Sequence, residues 1–159
     1  PTTLSDLGMG SSGSNVKLLQ QRLIDLGWLS GNADGDYGQN TANAVMAYQY
    51  QIGQEPTGYA DVLMQQSLYS DVAPAYVLYQ PLYEGDVGDA VLAMQLRLIE
   101  LGYLKNTEAN TDGEFGSRLS AAIIELKVNA GWEGDYIDGS ADVEFQTFLF
   151  SANALIYGN

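Results

Sequence analysis

The sequence contains neither histidine nor cysteine. Their absence excludes disulfides, thiolate nucleophiles, imidazole general bases and zinc centres built on those ligands. Base is also scarce: Lys17, Arg22, Arg97, Lys105, Arg118 and Lys127 are scattered among 20 acidic residues, for a formal charge of −14. Phosphate recognition needs clustered cations, so nucleic acid is an unsuitable partner, and an anionic membrane surface would repel the chain. No apolar run approaches the roughly 18 residues of a membrane span, and no charged n-region leads into an apolar h-region. The sequence starts at Pro1, so a mature product or a piece of a longer protein is expected. What remains possible is carboxylate chemistry, oxygen-ligated calcium or binding without catalysis.

What is present is a foldable chain of 159 residues, 46% of them hydrophobic, enough for one ordinary domain or two small ones. It is written twice. Gly10, Gly13, Val16, Gln20, Arg22, Leu23, Leu26, Gly27, Trp28 and Leu29 match Gly85, Gly88, Val91, Gln95, Arg97, Leu98, Leu101, Gly102, Tyr103 and Leu104 in one register. After a few inserted residues within 106–111, the pentapeptide DGDYG at 34–38 meets DGEFG at 112–116. A second small insertion precedes the pairs Gly58/Gly139, Asp61/Asp142, Val62/Val143 and Leu68/Leu149. The repeat predicts two units, 1–75 and 76–159, with SDVAPAYVLYQP (70–81) as a short extended linker in which Tyr76, Tyr79 and Tyr83 stitch the copies together.

Each copy reads as helical. Val16, Leu19, Leu23 and Leu26 recur at helical spacing, echoed by Val91, Met94, Leu98 and Leu101. Ser14 or Asn15 suits the N-cap, and Gly27 or Gly102 the left-handed position that ends a helix. A second stripe runs through Thr41, Ala44, Val45, Tyr48 and Ile52, with Leu119, Ala122, Ile123 and Leu126 as its echo. A short third helix follows Asp61, with Leu63, Met64 and Leu68 facing inward, and another follows Asp142, with Phe145, Phe148 and Leu149. Strand alternation is poor throughout. The expected fold is all-α: two small three-helix bundles turned at glycine-rich corners.

The ordered series Gly10, Gly13, Val16, Leu19, Gln20, Leu23, Leu26, Gly27, then Asp34, Gly35, Tyr37, Gly38, Thr41, Ala44, Val45, Tyr48, Gln49 and Gly53 resembles the type 1 peptidoglycan-binding domain. That family is a three-helix module attached to bacterial cell-wall enzymes. The likeness covers roughly 4–70 and 79–151. In the second copy Leu119 replaces Thr41, and Leu126-Lys127 replaces Tyr48-Gln49, so the second copy is expected to be a degenerate repeat. The resemblance implies a non-catalytic module that anchors a larger secreted protein to the bacterial wall, outside the cell, without a cofactor. Its partners would be a glycan or stem peptide and a catalytic domain elsewhere in the full protein. With position added, Asp34, Tyr37, Asn40, Thr41, Tyr48 and Gln49 are the candidate ligand contacts, in a shallow groove beside the second helix.

Each chemical reading has a plainer competitor. An aspartate before glycine accepts backbone N–H bonds in a turn, and the aromatic two residues on can plug a core. Ser30, Asn32, Asp34 and Gly35 sit like positions 1, 3, 5 and 6 of a calcium loop, as do Glu108, Asn110, Asp112 and Gly113. The bidentate glutamate needed at position 12 is missing, because Thr41 and Leu119 fall there. A glycosidase needs two acids about 5–10 Å apart in a cleft, and no such pair stands out. Tyr50, Tyr59, Trp132 and Tyr136 lie off the stripes, where amphipathic rings suit sugars and peptides. The same fold can instead serve as a spacer or protein-interaction module, which an exposed apolar patch would favour.

Overall fold

The computed structural model describes residues 3–158. Six α-helices and two short 3₁₀ turns make up its regular structure, and the extended pairings among the described residues are isolated bridges. The chain divides into two compact units, one running up to Leu78 and one starting at Tyr79.

The first unit holds α1 (Ser14–Asp25), α2 (Gln39–Gln51) and α3 (Val62–Leu68). Its core joins Val16, Leu19 and Leu23 of α1 to Val45 and Tyr48 of α2 and to Met64 and Leu68 of α3. Such apolar stripes can be buried only against one another, which is why three short helices cross instead of standing alone. Helix α1 stops in a Schellman turn: Trp28 N–H donates to Leu23 O at 2.8 Å, Gly27 N–H donates to Ile24 O at 2.9 Å, and Gly27 takes φ +85°. The N-cap is Gly13, not Ser14 or Asn15, and no side chain caps α1. Asp61 caps α3, accepting from Met64 N–H at 2.7 Å. Leu63, expected inside, is 68% exposed: a seven-residue helix has one inward face, and Met64, Gln65 and Leu68 occupy it.

The second unit holds α4 (Asp89–Leu101), α5 (Ser117–Asn129) and α6 (Val143–Leu149). Its core gathers Met94 and Leu98 with Ile123, Leu126, Phe145 and Leu149. The 3₁₀ turns Glu108–Asn110 and Gly134–Tyr136 fall in the two insertions.

The two units repeat the same internal bonds. Leu7 and Ala60 exchange backbone hydrogen bonds of 2.9 and 2.8 Å, as Leu82 and Ala141 do at 2.8 and 2.9 Å. Arg22 donates from Nε to Leu68 O and from a terminal nitrogen to Ser70 O, closing the end of α3. Arg97 does likewise for α6 through Leu149 O and Ser151 O. Each unit also ends in a strap. Tyr76 N–H donates to Leu26 O at 2.8 Å, and its ring meets Trp28 edge-on at 5.3 Å. Tyr157 N–H donates to Leu101 O at 2.8 Å, with its ring edge-on to Tyr103 at 5.3 Å. Tyr76 therefore packs into the first unit, and Tyr79 stacks on Phe150 in the second at 5.5 Å, where a linker stitch was expected from both.

Candidate functional site

The corner at 34–38 is built around one buried side chain, Gln20 of α1. Its Oε1 accepts from Gly35 N–H at 2.8 Å. Its Nε2 lies 2.9 Å from Asp34 Oδ1, 2.9 Å from Asp36 O and 3.0 Å from Thr41 Oγ1. Two N–H bonds thus serve three acceptors, so one is shared. Asp34 also takes Asp36 N–H at 2.9 Å, and this bond, ahead of the one from Gln20, holds its carboxyl below the usual 3.8. Gly35 is required twice over: its φ is +82°, and a Cβ would lie 3.3 Å from Gly13 O. The N-terminal arm is tied to the same corner by Gly10 N–H to Tyr37 O, Tyr37 N–H to Ser11 O and Gly13 N–H to Gly35 O.

The candidate contacts separate into two groups. Asp34 and Asn40 lie on the surface. Tyr37, Thr41, Tyr48 and Gln49 are buried, at 3%, 3%, 0% and 2% exposure, and this corrects their expected place on a groove wall. Tyr37 donates to Gly58 O at 2.7 Å, and burial pushes its hydroxyl up to about 12. Tyr48 shares a hydrogen bond with Ser67 Oγ at 2.8 Å. Gln49 repeats Gln20's role at the next corner: its Oε1 accepts from Gly58 N–H at 2.9 Å, and its Nε2 donates to Tyr59 O and Thr57 Oγ1. A large or polar side chain on a helical stripe looks alike in sequence whether its polar end meets a ligand or a nearby carbonyl. Here it meets backbone groups and neighbouring side chains of the same unit, the partners that buried polar atoms require.

The second unit keeps this scheme with substitutions. Gln95 accepts from Gly113 N–H at 2.8 Å and donates to Asp112 Oδ1 and Glu114 O. Leu119 stands where Thr41 offered its hydroxyl, so that third acceptor is gone. Lys127 replaces Gln49. Its ammonium is 2% exposed yet donates to Asp138 O, Asp138 Oδ1 and Ser140 O at 2.9–3.0 Å. It also lies 5.5 and 5.2 Å from the Trp132 and Phe145 ring centroids, so the buried charge is fully engaged. Ser140 and Lys127 together hold the Asp138 carboxyl below its usual range. The corner-holding role of the repeated pair Gln20/Gln95 is not evident from its repetition alone. The available signal was a polar residue conspicuously inside an apolar stripe, in both copies.

Among the described residues, no group of three or more acids is placed to hold a metal ion, and no helix is long and apolar enough to cross a membrane. The first unit has an open, mostly apolar hollow lined by Leu4, Asn15, Leu18, Gln65 and Tyr69. The second has a polar pocket of about 230 Å³ on the corner that contains Asp112.

Small three-helix units cornered by an Asp-Gly turn on a buried glutamine define a class of compact, all-helical domain. The particular family that the chain resembles is given by residues 12–68, which match the model described as "Putative peptidoglycan binding domain". The chain is 30% identical over 151 residues to a "Probable N-acetylmuramoyl-L-alanine amidase" of Bacillus licheniformis, covering 84% of this chain and 42% of the relative. It is 38% identical over 68 residues to the N-acetylmuramoyl-L-alanine amidase CwlM of Mycobacterium tuberculosis, covering 43% of this chain and 17% of the relative. The chain thus spans less than half the length of either curated relative. Among solved structures, the SleB N-terminal domain aligns at 31% identity with a TM-score of 0.41, over 43% of this chain and 93% of that one.

Proposed function

We propose that the chain is a non-catalytic wall-binding region of two peptidoglycan-binding-like repeats, 1–75 and 76–159, the second degenerate. It holds a larger secreted bacterial protein on peptidoglycan outside the cell, with an amidase-type catalytic domain as the partner suggested by its relatives. The observation that carries the reading is the family match over 12–68. In the first repeat, ligand contact falls to the exposed rim of the corner, Asp34 and Asn40. Tyr37, Thr41, Tyr48 and Gln49 act behind it by fixing the rim's shape. With a charge of −14, attraction to the wall comes from hydrogen bonds and apolar contact instead of bulk charge, so binding depends weakly on salt.

The test is co-sedimentation of the 159-residue chain with purified sacculi stripped of teichoic acid, at low and high salt, beside Asn40→Ala. Sedimentation that survives salt supports the reading; a chain that stays in the supernatant overturns it. One observation favours the spacer reading as an alternative: Leu18, Leu63 and Tyr69 of the first unit are exposed apolar side chains, and two of them line its open hollow.

A further inference from the structure

The polar pocket of the second unit is lined by Asn110, Asp112, Glu114, Ser117, Arg118 and Leu119, among others. Its wall is the first insertion, the turn Glu108–Asn110, which the first unit lacks. Asn110 is buried and pins that wall by donating from Nδ2 to Lys105 O at 3.0 Å. The side chains of Glu114, Ser117 and Arg118 have no hydrogen-bond partner among the described residues, although all three line the pocket. Asp112 spends Oδ1 on Glu114 N–H and Gln95 Nε2, and its second oxygen remains uncommitted. The bond from Gln95, then that from Glu114 N–H and last the charge of Arg118 lower this carboxyl from its ordinary value.

The basic residues sharpen the point. Arg22 and Arg97 are spent on helix-end carbonyls, and Lys127 is buried. Arg118 makes no hydrogen bond among the described residues, and its charge reaches Asp112 within the pocket, on a chain of net charge −14. In the first unit its position is held by Asn40, and that of Leu119 by Thr41. An anionic ligand alone would meet Asp112 and Glu114, and a cationic one alone would meet Arg118. A ligand carrying both signs satisfies both sides. A volume of about 230 Å³ lies below the ~300 Å³ at which drug-sized ligands begin, so it suits one amino acid residue better than a disaccharide.

Resting on the wall-binding reading, we propose that this pocket takes the zwitterionic end of a stem peptide: a free carboxylate paired with Arg118, and a free ammonium on the same residue paired with Asp112 and Glu114. The probe is the synthetic tripeptide L-alanyl-γ-D-glutamyl-meso-diaminopimelate, titrated into the full chain by calorimetry and followed by backbone amide shifts. Saturable binding that shifts amides within 108–119 is expected. Amidating the diaminopimelate carboxylates, acetylating its amine, or substituting Arg118→Gln or Glu114→Gln should each weaken it about tenfold, the scale of one charge-assisted hydrogen bond. Glu55→Gln, at an exposed position of the first unit outside both corners, should leave it unchanged. Both pocket variants alter exposed side chains, and helix content checks their folding. Absent binding, binding indifferent to Arg118→Gln, or shifts confined to 34–41 overturns the proposal. Sacculi sedimentation of the same samples separates the two readings. A chain that sediments without binding the tripeptide loses this pocket assignment alone, whereas one that does neither loses both.

Discussion

Gln20→Leu is the most informative perturbation of the fold. The side chain keeps its approximate volume and loses every polar atom, so the buried Gly35 N–H is left without its 2.8 Å acceptor. Thr41 Oγ1, Asp36 O and Asp34 Oδ1 lose a donor. Asp34 still holds Asp36 N–H, and Asp36 is exposed enough for water to replace the lost bond. The uncompensated items are therefore Gly35 N–H and, to a lesser degree, the buried Thr41 hydroxyl. At about 1–3 kcal/mol for each stranded buried group, the loss is roughly 2–4 kcal/mol. Units of this size have some 4–12 kcal/mol in total at the usual stability per residue. The second unit supplies an internal control. Gln95→Leu strands Gly113 N–H in the same way, but Leu119 provides no hydroxyl to lose, so its cost should be smaller by about 1 kcal/mol. Each unit has its own tryptophan, Trp28 or Trp132. Urea unfolding followed by fluorescence, in Trp132→Phe and Trp28→Phe backgrounds respectively, reads each unit. A loss below about 1 kcal/mol for Gln20→Leu, or a costlier Gln95→Leu, would refute the claim that this glutamine organises the corner.

Other expectations follow from the same bonds. Gly113→Ala should destabilise the second unit by about 1 kcal/mol or more, read as a lowered Tm, because φ is +71° and the new Cβ would lie 3.1 Å from Gly88 O. Asp61→Ala should cost about 1 kcal/mol through loss of the α3 cap, measured by urea titration. Lys127→Ala should cost roughly 2 kcal/mol or more, since an ammonium with three oxygen partners is removed from the interior. Asp138 has a folded pKa depressed below 3.8, so its contribution is present above that value and is lost as pH falls through it toward the folded pKa. Asp138→Asn should therefore flatten the acid limb of the second unit's stability curve, while leaving Gly35-corner variants of the first unit unaffected.

The helical stripes could be read directly, because Val16, Leu19 and Leu23, or Met94 and Leu98, have no use for that spacing except a buried helix face. The cap at Asp61 and the stop at Gly27 could be read for similar local reasons. Sequence pattern does not report what a polar atom at the end of a buried side chain touches. Tyr48 and Gln49 looked like a ligand pair, and the oxygens and nitrogens they meet belong to Ser67, Gly58 and Tyr59, brought near by a turn of no regular period. The start of α1 was misplaced by a residue because serine is a better cap than glycine in general. In this chain Gly13 is already drawn to the corner by its bond to Gly35 O. The pocket beside Arg118 depends on the path of an insertion, which repeats nothing.

The straps at Tyr76 and Tyr157 bear on where such a unit can be cut. The family match stops at residue 68, yet Trp28 Nε1 donates to Pro74 O at 2.8 Å, and Leu26 O accepts from Tyr76 N–H. A fragment ended with its third helix would bare an indole and an unpaired carbonyl together. The stretch that travels as one cassette, by duplication or by cloning, therefore extends past the helices to the returning tyrosine.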